Sequence, residues 1–174
     1  MAMLVNGLRA ARPLDADDEL VTPAGLLELI PAGEWKEKVA SGGPGVTLDE
    51  LGRIVPRVLK AYDIGHARIE IIRLDHDTEG AARLRRLLAE NERSDRDLIL
   101  ANFLQSALTG DPAGAVGHIA PIGAYDARRD RVLILDPDRR WYEPYWVAVE
   151  SLLAAMDTED PVSHKPRGLI RVAK

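Results

Sequence analysis

Cysteine is absent from the 174-residue sequence, and this absence excludes several kinds of chemistry. A chain without thiols forms no disulfide and no thiolate metal site, and as written it supplies no cysteine nucleophile. Long apolar runs are also missing: none approaches the length that crosses a bilayer, and Met1 is followed by no basic-then-apolar secretory pattern. An excess of basic residues is lacking too, since the formal net charge is −5, and this argues against a nucleic-acid partner.

What is present has the composition of a globular protein. Hydrophobic residues make up 46% of the chain and charged residues 29%, a balance that is typical of folded domains and not of disordered segments. The length suffices for one domain with a sizeable core but not for two ordinary ones. We therefore predict a single domain over residues 1–174, with the oligomeric state left open.

The first half of the chain has mainly helical patterns. Residues 1–8 are apolar from the start and predict a helix without an N-cap, and a short helical turn is expected at 24–30 within an irregular, proline-rich stretch over 12–46. The sequence Thr-Leu-Asp-Glu at 47–50 is a capping box. An apolar stripe at helical spacing follows it, and Pro56 is expected to kink or end that helix early. The stripe consists of Leu51, Ile54, Val55, Val58, Leu59 and Tyr62.

The second half has mainly strand patterns. Strands are predicted there at 117–125, 131–136 and 168–172, with a helix at 149–156. Before them, strands are predicted at 68–74 and 97–104, and a helix at 78–90 whose inward residues are Ala81, Leu84, Leu87 and Leu88. The two strands at 117–125 and 131–136 are joined by a short polar connection, which favours a hairpin. A helical first half followed by an antiparallel sheet indicates an α+β fold. The aromatic segment before the predicted helix at 149–156 is interpreted as core packing; its residues are Trp141, Tyr145 and Trp146.

The hairpin places a histidine near a carboxylate. If it folds symmetrically about its loop, His118 lies opposite Asp136, or one diagonal step away if the register shifts by two, and such pairs are within reach of each other. A carboxylate beside an imidazole fixes its tautomer and supports its charged form, as a nucleophile requires of its base. A purely structural His–Asp contact at a strand end is the alternative.

The same segment resembles a known family. Gly-His-Ile-Ala-Pro-Ile-Gly-Ala-Tyr at 117–125, Leu-Ile-Leu-Asp at 133–136, Ala-Met-Asp-Thr at 155–158 and Arg-Gly-Leu at 167–169 are similar to the phytochelatin synthase family, papain-like cysteine transferases that act on glutathione. The spacing from histidine to aspartate also matches. The resemblance is strong over residues 99–174 and weak over 9–98.

This resemblance implies a papain-like fold and a role for four residues. His118 is similar to the general base and acid of the catalytic triad, and Asp136 to its orienting carboxylate. Arg139 and Tyr142 match positions near the acyl site, where a guanidinium and a phenol could hold the γ-glutamyl end of the substrate. For Arg139, a surface ion pair with Asp136 or Asp138 is the alternative.

The implied reaction is attack on the Cys–Gly amide of glutathione. Glycine leaves, and the γ-glutamylcysteinyl group passes to a second glutathione or to water. No tightly bound cofactor is expected. Cadmium or zinc would enter as a glutathione thiolate complex, which links the family to heavy-metal detoxification and the response to metal ions. The expected partners are therefore glutathione and its metal thiolates, with no nucleic acid and no membrane.

The nucleophile of the family is missing. In the family it lies in a Cys-Gly-x-Ala-Ser pattern that opens a helix continuing much like residues 2–8, so by this match it would precede Met1. We therefore expect a chain that lacks its N-terminal portion and is inactive as written. The alternatives are a pseudoenzyme that binds glutathione or a protein, and a marginally folded remnant. The compartment, cytoplasmic or periplasmic, stays open because any signal peptide would also precede Met1.

A second polar cluster, Asp75-His76-Asp77 with Glu79, could in principle bind a divalent cation. We interpret it as a polar loop and a helix cap between a strand and a helix, and we predict no metal ligands in this chain.

Overall fold

The structure, a computed structural model, describes residues 1–10, 19–29, 34–39, 43, 45–138, 140 and 142–174. Its helices are α1 (Ala2–Ala10), α2 (Pro23–Leu29), α3 (Glu34–Val39), α4 (Leu48–Ala61), α5 (Thr78–Asn91), α6 (Gln105–Thr109) and α7 (Val149–Met156). Its strands are β1 (Arg68–Ile72), β2 (Asp97–Leu104), β3 (Gly117–Asp126), β4 (Arg131–Ile134), β5 (Tyr145–Ala148), β6 (Glu159–Asp160), β7 (Lys165–Pro166) and β8 (Gly168–Ala173). None of the helices in these ranges has the length and apolar character of a membrane span.

Six of these strands form one antiparallel sheet in the order β1-β8-β2-β3-β4-β5. The remaining two, β6 and β7, pair with each other. A mixture of helices with an antiparallel sheet is the predicted α+β class. The predicted division into halves is only partly right, because β1 and β2 come from the first 104 residues and α7 lies in the second half. The strand β8 lies between β1 and β2 and so joins β1 to the rest of the sheet.

The sheet separates two apolar cores, because alternate residues of its strands point to opposite faces. Leu100 and Ile170 belong to the core shared with α1 and α4, whereas Ile99 and Leu169 belong to the core shared with α5 and α7. The inward positions predicted for the helix at 78–90 are all buried; these are Ala81, Leu84, Leu87 and Leu88. Both faces of the central strands are therefore covered.

Local sequence signals set the helix boundaries near the site. In the capping box of α4, Thr47 Oγ1 accepts a hydrogen bond from the Glu50 amide, and Glu50 accepts one from the Thr47 amide at 2.9 Å. The helix continues to Ala61, so the expectation that Pro56 ends it early is wrong. Pro56 lies on the exposed side of α4, where water can replace the hydrogen bond that its missing N–H would make.

Five of the elements named above were not predicted: α3, α6, β5 and the two-residue strands β6 and β7. The two helices have six and five residues, too few for an apolar period to show. The strand β5 has four residues and lies in the aromatic segment that was interpreted only as packing. Its pairing with β4 brings Tyr145 opposite Ile134 and adds the last strand of the sheet.

We expect the first residue of β8 to tolerate no side chain. Gly168 has φ +151°, and a Cβ there would lie 2.4 Å from the Ile72 carbonyl oxygen. Gly168→Ala should therefore lower the free energy of unfolding by about 2–4 kcal/mol, through backbone strain and overpacking. Urea unfolding followed by circular dichroism measures this change. Gly65→Ala is the control, since a Cβ there meets nothing within 4 Å; equal losses in the two variants would contradict the account.

Candidate active site

The site begins at the first residues of β3. His118 pairs with Phe103 in the ladder between β2 and β3, so both side chains point to the same face of the sheet. The two rings meet edge to face with their centroids 5.6 Å apart. Phe103 is fully buried, whereas the His118 side chain keeps 15% of its surface exposed. The imidazole therefore rests on the core and remains accessible from one side.

A bulge in the hairpin brings Asp136 to His118. The ladder between β3 and β4 changes register between Ile122 and Ala124. Gly123 lies at this irregularity, and the Leu135 side chain packs where a Cβ on Gly123 would lie. Continued past the Ile122–Ile134 pair, the register places Asp136 one diagonal step from His118, the second of the two arrangements considered from the sequence.

The carboxylate of Asp136 is fully buried and accepts three hydrogen bonds from described residues. Its Oδ1 accepts from His118 Nε2 at 2.9 Å and from the Asp138 backbone N–H at 2.9 Å. Its Oδ2 accepts from the Tyr145 hydroxyl at 3.2 Å. A buried carboxylate is stable only when its lone pairs are satisfied in this way.

The imidazole has one nitrogen left for chemistry. An ionised carboxylate only accepts hydrogen bonds, so neutral His118 carries its proton on Nε2 and keeps a lone pair on Nδ1. Within the described part of the chain, no hydrogen bond to Nδ1 is found. In this arrangement Nδ1 is the ring nitrogen of His118 that can accept a proton.

Four buried polar atoms lack hydrogen-bond partners among the described residues: Asp97 Oδ1, Asn102 Oδ1, Gln105 Nε2 and Arg167 Nε. Arg167 is only 4% exposed, and its guanidinium packs against Gly117, the residue before His118. Its Nη1 donates to the Thr158 side chain at 2.9 Å and to backbone carbonyls of Thr158 and Glu159. A buried cation with an N–H that lacks a partner among the described residues is chemically suited to an anionic or carbonyl ligand.

Comparison with known proteins identifies the family of this chain. The model of a family described as phytochelatin synthase matches residues 28–169, which is well over half of the chain. The chain belongs to the phytochelatin synthase family. The match begins upstream of residue 99, so it also takes in the part of the chain where the sequence resemblance is weak.

Curated relatives carry a consistent name. The chain is 45% identical over 58 residues to glutathione gamma-glutamylcysteinyltransferase 1 of Arabidopsis thaliana, covering 33% of this chain and 12% of that protein. It is 37% identical over 110 residues to glutathione gamma-glutamylcysteinyltransferase 3 of Lotus japonicus, covering 62% of this chain and 22% of the relative. Glutathione gamma-glutamylcysteinyltransferase of Schizosaccharomyces pombe is 36% identical over 78 residues, 44% of this chain and 18% of the relative. The chain therefore spans only a small part of the length of these relatives.

The two other predicted site residues of this phytochelatin synthase family chain are Arg139 and Tyr142. Arg139 lies outside the described residues, so its role stays a prediction. Tyr142 has its ring 6.3 Å from that of Tyr145, and its hydroxyl donates to Asp111 Oδ2 at 3.1 Å. Burial, followed by the bond to Asp111, raises the pKa of Tyr142 above its ordinary value. Tyr142 is thus next to a residue that touches the dyad, but its hydroxyl is occupied.

Two side chains that contribute to the site were missed from the sequence. Tyr145 packs against the core as predicted, but the contact of its hydroxyl with Asp136 was not predicted. Arg167 was noticed only as part of the family pattern; its position directly before an apolar strand was the available signal of a buried charge. Trp146 is 44% exposed, so its assignment to the core is wrong, and Trp141 lies outside the described residues.

The acidic cluster at Asp75–Glu79 has a structural explanation. Asp77 caps α5 by accepting a hydrogen bond from the Gly80 amide at 2.7 Å, and the His76 amide donates to Asp157. Across the part of the chain that the structure describes, no group of three or more His, Cys, Asp or Glu side chains could hold a metal ion.

Removing the buried carboxylate should destabilise the fold. Asp136→Ala leaves three donors without their acceptor in a dry environment, so we expect the free energy of unfolding to fall by about 2–4 kcal/mol. Urea unfolding measures this loss. Asp138→Ala is the matched control, because its side chain is exposed and should change stability by no more than about 0.5 kcal/mol. Similar effects of the two substitutions would show that the buried network is not formed.

Proposed function

We propose that this chain carries the base half of a cysteine acyltransferase site that acts on glutathione, within a papain-like arrangement. The observation that carries the proposal is the 2.9 Å contact between His118 Nε2 and a fully buried Asp136, which leaves Nδ1 as the accepting atom. Family membership supplies the substrate class, because the relatives are named glutathione gamma-glutamylcysteinyltransferases. We also propose that residues 1–174 form one domain, since one six-stranded sheet carries both cores.

In the proposed reaction, His118 Nδ1 takes the proton of a cysteine thiol and Asp136 stabilises the resulting imidazolium. The thiolate attacks the carbonyl carbon of the Cys–Gly amide, the C–N bond breaks, and the imidazolium returns its proton to the leaving glycine amine. A γ-glutamylcysteinyl thioester remains. The same base then deprotonates water, giving hydrolysis, or the amine of a second glutathione, giving transpeptidation.

The substrate would be held by cationic and phenolic side chains of this chain. Arg167 offers a buried N–H that lacks a partner among the described residues, and a carboxylate or carbonyl of glutathione would satisfy it. Arg139 and Tyr142 are proposed to bind the γ-glutamyl end. For Tyr142 this requires the hydroxyl to exchange its bond to Asp111 for one to the substrate. A heavy-metal ion such as cadmium or zinc would arrive as part of a glutathione thiolate and is a substrate component.

The sequence contains no thiol, so we propose that the 174-residue chain by itself does not catalyse this reaction. Incubation with glutathione, with and without cadmium, should release no more glycine than a buffer blank, as measured by amino-acid analysis. His118→Ala is the control and should give the same background. Sustained glycine release that disappears in His118→Ala would contradict the proposed inactivity and show that another group of this chain acts as the nucleophile.

A second candidate function is glutathione binding without catalysis. It is favoured by the Nε of Arg167, which lacks a partner among the described residues, in a chain that has no thiol. Isothermal titration calorimetry should then detect binding of glutathione, and Arg167→Met should weaken it at least about tenfold, the cost of one charge-assisted hydrogen bond. Arg131→Met is the control, because Arg131 is exposed at the far end of the hairpin. Unchanged affinity in a folded Arg167→Met variant would exclude this side chain from the site.

A further inference from the structure

We infer that Tyr145 is a positioning residue of the dyad: its hydroxyl anchors Asp136 Oδ2 so that Oδ1 holds His118 in one tautomer. This inference rests on the proposed function, since it assigns Tyr145 a part in orienting the base.

The position of Tyr145 follows from the sheet. It is the first residue of β5 and pairs with Ile134 of β4. Asp136 lies two residues beyond Ile134, so by the alternation of a strand its side chain points to the same face as Ile134. The Tyr145 ring reaches diagonally from β5 to Asp136, and its hydroxyl oxygen lies 3.2 Å from Asp136 Oδ2. The ring packs against the core beside α7 and is thereby held in place.

The two carboxylate oxygens of Asp136 have different hydrogen-bond donors. Oδ1 accepts both the His118 Nε2 proton and the Asp138 amide. Oδ2 accepts from Tyr145 alone among the residues that the structure describes. Without the hydroxyl, a fully buried oxygen would lose its donor, and the carboxylate would gain by rotating until both oxygens shared the two remaining donors. The imidazole would then lose its fixed partner atom.

The Tyr145 hydroxyl is chemically suited to donate a hydrogen bond to Asp136. Burial raises the pKa of Tyr145 far above its ordinary value, and the charge of Asp136 and the hydrogen bond to it act in the same direction. The hydroxyl therefore keeps its proton and remains a neutral donor. A neutral donor anchors the carboxylate without supplying a second positive charge that would compete with the imidazolium.

The experiment reads the tautomer of His118 in the 174-residue chain itself and needs no turnover. Long-range ¹H–¹⁵N spectra distinguish a protonated from an unprotonated ring nitrogen, and the chain has only four histidines. The His118 signals are assigned by their loss in His118→Ala. In the wild type, neutral His118 should show a single form with Nε2 protonated. In Tyr145→Phe both nitrogens should move toward the averaged shifts of a free, two-tautomer imidazole.

The matched control is Tyr125→Phe. Tyr125 also donates its hydroxyl to an aspartate, Asp130 Oδ1 at 3.1 Å, but it does so near the turn of the hairpin, away from the dyad. Its removal should leave the His118 spectrum unchanged. A purely structural role for Tyr145 would lower stability in both variants and alter the tautomer in neither, as urea unfolding of the same samples would show.

The outcomes separate the two proposals. A mixed or Nδ1-protonated imidazole in the wild type would overturn the oriented base and with it the proposed function. A single Nε2-protonated form that survives in Tyr145→Phe would overturn the positioning role alone. If Tyr145→Phe does not fold, the hydroxyl proton of Tyr145 in the wild type decides: it should exchange with water more slowly than that of Tyr142, and equal rates would overturn the inference.

Discussion

The site depends on the removal of one carboxylate from water. Asp136 is completely buried, and a buried charge is tolerated only when surrounding donors replace its hydration. Those donors come from three places in the chain: the start of β3, the backbone after β4 and the start of β5. The carboxylate therefore ties together three segments of the sheet, and the orientation of His118 is a consequence of that arrangement.

The rest of the fold builds the surroundings of this carboxylate. The bulge beside Gly123 sets the register that brings Asp136 to His118. The Phe103 ring packs against the imidazole edge to face. On the neighbouring strand, Gly168 lets β8 approach the backbone at Ile72, which places Arg167 beside the first residue of β3. His118 with its buried carboxylate and the buried cation Arg167 thus lie at one end of the central strands.

Local signals in the sequence predicted the local structure well. The capping box of α4, the inward face of α5 and the hairpin all follow from patterns within a few residues, and the hairpin alone brought His118 and Asp136 together. What could not be predicted depends on contacts between distant segments. The insertion of β8 between β1 and β2, the pairing that makes β5 a strand, and the burial of Arg167 are set by the whole sheet. The hydroxyl contact of Tyr145 was not predicted for the same reason, since the sequence identifies an aromatic residue but not the partner of its hydroxyl.

We propose that the contact between His118 and Asp136 orients the imidazole so that it can deprotonate a cysteine thiol. The direct test is to join the Cys-Gly-x-Ala-Ser pattern of the family ahead of Met1, at the spacing that the resemblance implies, and to measure glycine release from glutathione. The account predicts release by the extended chain and its loss in the same chain with His118→Ala. Release that persists without His118, or none from an extended chain in which His118 keeps its Nε2-protonated form, would contradict it.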